Sequence, residues 1–263
     1  MNETAFSRAV ACHGDPANPP IVFLHGIRLG GRIWAPHARE LSDEFFVVTP
    51  DLPGHGALDQ LPFDAPSLDA FLSYIADNVV SRPPLFVGYS LGGYVAMRYA
   101  IDMPDHTSGL VLTGSCTNIT GYRRMLYDAA VRVTARIPQP MLQSMLTGFF
   151  RLTLPARVAD VIIPFRFNHD VFEQSLHIAG GTCYSERLQT YGKPVLIVNG
   201  KWDLLFRRDE RAYARCARAR VIVMRGSDHV APLRDPIRFC DYVRAFAREV
   251  FAPASTTSQG RTA

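Results

Sequence analysis

The sequence predicts an α/β chain with a mostly parallel, doubly wound sheet and a helical segment inserted between two of its strands. Three observations predict it: short, wholly apolar runs recur along the chain, amphipathic stretches alternate with them, and in one long interval the alternation stops. A run without polar alternation suits a parallel strand whose two faces are both covered by helices.

The strands come first. They are "IVFLH" from Ile21, "FFVVT" from Phe45, "LFVGY" from Leu85, "GLVLTG" from Gly109, "PVLIVNG" from Pro194 and "RVIVM" from Arg220, each bounded by turn residues. Between them lie the amphipathic stretches. "SLDAFLSYIADNVV" reads as a helix capped by Ser67, followed along the chain by "LGGYVAMRYAIDM" and "RRDERAYARCARA". In "DPIRFCDYVRAFAREV", Asp235 is the cap and Pro236 the first helical residue, where the missing N–H has no helical partner to lose. From Thr117 to about Arg187 the patterns "MLYDAAVRVTARI", "PMLQSMLTGFFRL", "RVADVIIPFRF" and "HDVFEQSLHIA" follow one another with no strand between them. The expected organisation is therefore a core over 1–116 and 188–251 and a helical cap over 117–187. The small, polar end, 252–263, carries no core residue and is expected to be a disordered tail.

Composition narrows the function classes. Of 263 residues 48% are apolar and 20% charged, as in ordinary globular chains. The net charge of +4 is spread over scattered Arg and Lys, without the basic run interleaved with aromatics that a nucleic-acid surface shows. Cys12, Cys116, Cys183, Cys216 and Cys240 are odd in number and far apart, which argues against a disulfide framework and a zinc site and for reduced thiols in a cytoplasm. His13, His37, His106, His169 and His177 show no metal-site spacing. No metal and no cofactor are expected. The first residues lack the apolar stretch of a signal peptide, and no apolar run reaches the roughly 18 residues of a membrane span.

The chemistry concentrates in "VGYSLGG", where Ser90 sits between Gly88 and Gly92 at a strand-to-helix junction. A strained turn there exposes the serine hydroxyl, and small residues two positions either side let strand and helix approach. A serine hydroxyl needs a base, and the base an orienting acid. Asp203 follows the strand "VLIVNG" and His229 lies in the loop after the next strand, so the chain order is Ser, Asp, His. Asp228 is the rival acid, disfavoured because it is adjacent to His229.

With these residues in view, the chain from about Pro20 to Val250 resembles the α/β-hydrolase superfamily: it carries "HG" at His25, "DLPGHG" at Asp51, "GYSLGG" and "GSDH" in order. The resemblance implies a catalytic triad of Ser90, Asp203 and His229, with an oxyanion hole formed by the Ile27 and Leu91 N–H groups. It also implies loop-shaping roles for His25 and His55. The expected reaction is hydrolysis of a small-molecule carboxylic ester, lactone or thioester through an acyl-enzyme. Tyr89, Met141, Met145 and Phe149 are expected to line the substrate pocket. Arg123, Arg124 and Arg166 are read as surface residues, a substrate carboxylate being the other reading. Three rivals share the fold. A pyruvate-eliminating lyase would carry arginine where this chain has Tyr94, and carbon–carbon bond hydrolases usually carry tryptophan at Val230. The third is a non-catalytic ligand receptor.

Overall fold

The computed structural model describes residues 3–216 and 218–253, so the expected tail lies outside the described residues from 254 onward. Among the described residues seven strands form one sheet: β1 Val10–His13, β2 Pro20–Leu24, β3 Phe46–Pro50, β4 Leu85–Tyr89, β5 Gly109–Thr113, β6 Val195–Gly200 and β7 Ala219–Met224. Their spatial order is β1-β3-β2-β4-β5-β6-β7, with β1 antiparallel to β3 and every other pairing parallel. Every residue of β2 to β6 is buried, which is the physical meaning of their apolar runs. The sequence reading missed β1. Its residues "VACH" are mostly exposed at a sheet edge and carry no apolar run.

The helices are α1 Glu3–Arg8, α2 Ala35–Leu41, α3 Ala65–Asn78, α4 Leu91–Asp102, α5 Gly121–Thr134, α6 Gln139–Thr153, α7 Ala156–Ile162, α8 His169–Ala179, α9 Tyr184–Arg187, α10 Glu210–Tyr213, α11 Ala231–Arg234 and α12 Pro236–Phe251. Successive strand side chains point to opposite faces and divide the core. Val22 and Leu24 pack with Phe71, Leu72 and Tyr94 on one side. Ile21 and Phe23 pack with Trp34, Phe239 and Val243 on the other.

Two helix boundaries differ from the sequence reading. The α3 cap is Asp64, not Ser67: the backbone of Asp64 is extended, and its carboxylate accepts the Ser67 N–H at 2.9 Å. An acceptor placed before Pro66 can reach an orphan donor of the first turn, whereas Ser67 already lies inside the helix. Among its described residues, the stretch "RRDERAYARCARA" is helical only over α10, and Asp209, which precedes it, is held by contacts outside the helix. Its N–H donates to the Cys116 carbonyl at 3.0 Å, and its carboxylate accepts from the Asn118 N–H at 2.8 Å and from Arg123. At α12, Asp235 accepts the Arg238 N–H at 3.2 Å and Pro236 opens the helix.

Between β5 and β6 the chain forms α5 to α9 and no strand among the described residues. The loops after β2, β4, β6 and β7 leave the carboxyl edge of the sheet, where open α/β sheets place their ligands.

Candidate active site

Ser90 follows β4 directly and precedes α4 with φ 53° and ψ −117°, a conformation that side chains rarely adopt. The surroundings hold it there. Its N–H donates to the Thr113 carbonyl at 2.9 Å. A Cβ at Gly88 would lie 2.5 Å from the Gly93 Cα, and one at Gly92 would lie 2.3 Å from the Leu24 carbonyl oxygen. Both glycines are therefore steric conditions of the turn, because the atoms they would strike are backbone that cannot rotate away.

Asp203 and His229 come from the loops after β6 and β7. The His229 Nδ1–H donates to Asp203 Oδ2 at 2.8 Å, and Ser90 Oγ donates to His229 Nε2 at 3.1 Å. Asp203 is buried, and its second oxygen accepts the Phe206 N–H at 3.1 Å. Asp228 belongs elsewhere: its carboxylate forms an ion pair with Arg234 and accepts the Val230 N–H at 3.2 Å.

Sequence reasoning missed two residues that seat the imidazole. Phe206 stacks on His229 with centroids 4.3 Å apart and planes 30° from parallel. Gly114 has φ +63°, and a Cβ there would lie 2.8 Å from His229 Cε1. Neither bears a reactive group, so only the fold reveals them. Tyr89 is buried against His229, with ring centroids 5.3 Å apart, and burial raises its pKa.

The Ile27 and Leu91 N–H groups have no protein acceptor among the described residues. Leu91 is the first residue of α4, where no intrahelical acceptor exists. The loop carrying Ile27 is held by two imidazoles whose tautomers follow from their partners. His25 Nε2 accepts the Leu52 N–H at 3.0 Å, so its Nδ1–H donates to the Gly26 carbonyl at 2.8 Å. His55 Nε2 accepts the Arg28 N–H at 3.1 Å, and its Nδ1–H donates to the Pro53 carbonyl at 3.0 Å. Each ring uses its bare nitrogen as an acceptor, which protonation would destroy.

Burial holds His25 well below the ordinary imidazole range, with the neighbouring His55 adding to the effect, and it lowers His55 as well. His37, donating to the Pro232 carbonyl at 3.0 Å, is pushed down to about 4 by burial. Below the unfolded value near 6.5 the unfolded chain takes up protons that these folded rings refuse, so stability falls as pH falls. The contribution is fully present above about pH 6.5 and is lost progressively toward the folded values, with His37 alone worth up to roughly 3 kcal/mol. Urea midpoints are accordingly expected to drop between pH 7.5 and pH 5 by more in the wild type than in His37→Phe. Equal drops would contradict this assignment.

Near Ile27 opens a cleft of about 590 Å³, lined by the loop of Ile27 to Leu29, the turn at His55 and the segment from Pro164 to Val171. Tyr89 is not in its wall, and neither are Met141, Met145 and Phe149. The last three are 57%, 54% and 58% exposed along one side of α6, while Leu142 on another side is buried. The i, i+4, i+8 spacing puts the three on a single stripe; the structure leaves that stripe open rather than enclosing a pocket with it. Arg123 pairs with Asp209 and Arg124 with Asp128, whereas Arg166 lines the cleft.

Residues 21–242 match the model of the alpha/beta hydrolase family. The chain belongs to this family. Among curated relatives of this chain, pimeloyl-(acyl-carrier protein) methyl ester esterase from Chromobacterium violaceum is 40% identical over 140 residues, covering 52% of this chain and 50% of that one. The protein of the same name from Cronobacter sakazakii is 28% identical over 247 residues, covering 87% and 92%. The chain spans 37% to 50% of the length of the relatives it matches at 38% to 40% identity. Among solved structures, a thermophilic esterase from Thermogutta terrifontis superposes with a TM-score of 0.77 at 22% identity, over 92% of this chain and 93% of that one. Among the described residues, no helix of this chain is long and apolar enough to cross a membrane.

Proposed function

We propose that this hydrolase cleaves a small carboxylic ester through an acyl-enzyme on Ser90. The observation that carries the reading is the connected path from Asp203 through His229 to Ser90, with hydrogen bonds of 2.8 and 3.1 Å, beside two unengaged backbone N–H groups. His229 Nε2 takes the hydroxyl proton as Ser90 Oγ attacks the carbonyl carbon, and Asp203 holds the imidazole through Nδ1 and stabilises the imidazolium. The Ile27 and Leu91 amides bind the developing oxyanion, where loss of one donor typically costs ~10²- to 10³-fold in rate. The imidazolium then protonates the leaving alcohol, and water, activated by the same His229, releases the acid.

Helices α5 to α9 are the cap in this reading, covering the carboxyl edge of the sheet. Relatives named for a methyl ester esterase activity support an ester over a lactone or thioester. Elimination chemistry is disfavoured because Tyr94 is buried and donates its hydroxyl proton to the Thr117 carbonyl at 2.7 Å, a structural bond where the lyase would carry arginine. The five described cysteines are free, in keeping with a reducing compartment.

A fluorophosphonate probe is expected to label the wild type and not Ser90→Ala, with turnover of p-nitrophenyl esters lost in parallel. Wild-type protein that neither labels nor hydrolyses any ester, while binding small carboxylic esters, would place it with the non-catalytic receptors of this fold.

A further inference from the structure

The loop after β2 is gripped from both sides. On the core side, His25 and His55 accept the Leu52 and Arg28 N–H groups, and Asp51 Oδ1 accepts the Gly31 N–H at 2.7 Å. On the other side the loop meets Phe165, in the segment between α7 and α8. Arg28 Nη2 donates to the Phe165 carbonyl at 2.8 Å, Arg32 lies over the Phe165 ring at 4.2 Å, and a Cβ at Gly30 would lie 2.9 Å from that ring. The Phe150 ring of α6 lies 5.0 Å from Arg28 Cζ. The same loop begins against the proposed nucleophile, since a Cβ at Gly26 would lie 3.3 Å from Ser90 Cβ.

Arginine is an unfavourable residue at position 28. Among the described residues, Arg28 at φ 56° and Ser90 are the two non-glycine residues with positive φ. The Leu29 N–H returns to the Gly26 carbonyl at 3.2 Å, and at the third position of such a turn positive φ ordinarily selects glycine. The side chain is only 8% exposed, its Nε and Nη1 are buried without a partner among the described residues, and Nη2 meets a carbonyl and not a carboxylate. A strained backbone and a buried, uncompensated cation both weigh against folding, and such features persist where they serve a site. What arginine gains over glycine here is reach: its N–H is held by His55 while its guanidinium is held by Phe165 and Phe150.

We propose that Arg28 is a positioning residue that couples the Phe150 and Phe165 side of the helical insertion to the Ile27 amide, so that this oxyanion donor is in place only while those helices are seated. The inference rests on the esterase reading of Ser90. Loss of the guanidinium contacts lets Arg28 leave positive φ, which turns the peptide it shares with Ile27 and carries the neighbouring Ile27 N–H out of line.

Arg28→Met keeps the length of the stem and removes the charge and the Nη2 donor. Its kcat/KM for p-nitrophenyl butyrate is expected to fall by about 10- to 100-fold, approaching the loss of one oxyanion donor. Butyl trifluoromethyl ketone reads the same amide: Ser90 Oγ adds to its carbonyl carbon, the hydroxyl proton passes to His229, and the ketone oxygen takes the oxyanion position. Its affinity is expected to fall by the same factor as kcat/KM. The variant is expected to melt no lower than the wild type, because a desolvated cation has gone. Arg28→Lys, which keeps a charge and a donor without the planar fork, is expected to recover part of the activity. Phe150→Leu is expected to act in the same direction and to add little to Arg28→Met in the double variant. Hydrogen exchange reads the coupling without turnover: residues 26–31 and 163–168 are expected to exchange faster together in both single variants. Wild-type kcat/KM and ketone affinity in Arg28→Met, or a kcat/KM loss matched by a lower melting temperature and not by ketone affinity, overturns the coupling and leaves the esterase reading intact. A wild type that neither turns over an ester nor takes up the ketone overturns the esterase reading; exchange then tests the coupling alone, and unchanged exchange of 26–31 refutes it. If Arg28→Met does not fold, Phe150→Leu carries the same comparisons.

Discussion

Ser90→Ala is expected to lower kcat on any ester substrate by about 10⁴- to 10⁶-fold, because the proposed reaction loses its nucleophile while the surrounding amides and His229 remain. The variant should fold as the wild type does. The N–H of residue 90 still donates to the Thr113 carbonyl, and alanine keeps the Cβ. Glycine at the same position separates activity from strain. At φ 53° a residue without a Cβ is relieved of the backbone penalty, so Ser90→Gly is expected to be equally inactive but to melt higher than Ser90→Ala. Steady-state kinetics and thermal melts of the two variants check both halves. A Ser90→Gly protein that melts below Ser90→Ala would contradict the reading of Ser90 as a strained residue.

Asp203→Asn is expected to cost about 10³- to 10⁴-fold in kcat with a small effect on folding, since an amide in place of Oδ2 favours the wrong imidazole tautomer. His229 would then meet an N–H or an uncharged carbonyl where it now donates to a carboxylate at 2.8 Å. Asp228→Asn is the control one residue from His229. It breaks the ion pair with Arg234 and should lower stability by up to about 1 kcal/mol, leaving kcat within about tenfold of wild type. Kinetics with matched denaturation curves distinguish the two carboxylates. A larger kcat loss in Asp228→Asn than in Asp203→Asn would reverse the assignment.

The parts of this protein legible in its sequence are those with a local steric or periodic cause. The apolar runs of β2 to β6 and the amphipathic pattern of α12 are legible because burial of the whole strand, or of one helix stripe, sorts residues by period. The turn at Ser90 is legible because its glycines answer a clash with nearby backbone. Strand β1 was hidden because an exposed edge strand needs no apolar side chains, and the α3 cap was misplaced because Ser67 and Asp64 both suit a helix start. The exposed stripe of Met141, Met145 and Phe149 had the composition of a pocket wall, yet side-chain chemistry alone does not tell which side of a helix meets the cavity.

The sequence by itself determined the order of Ser90, Asp203 and His229 and the small residues that the turn requires, since these follow from chain connectivity and local sterics. Only the tertiary structure decided which carboxylate reaches His229, that Phe206 and Gly114 seat its ring, and that the guanidinium of Arg28 is buried with two nitrogens unpaired. Those outcomes depend on separate loops converging at one edge of the sheet. Convergence is set by packing among residues far apart in the chain, and no local pattern records it.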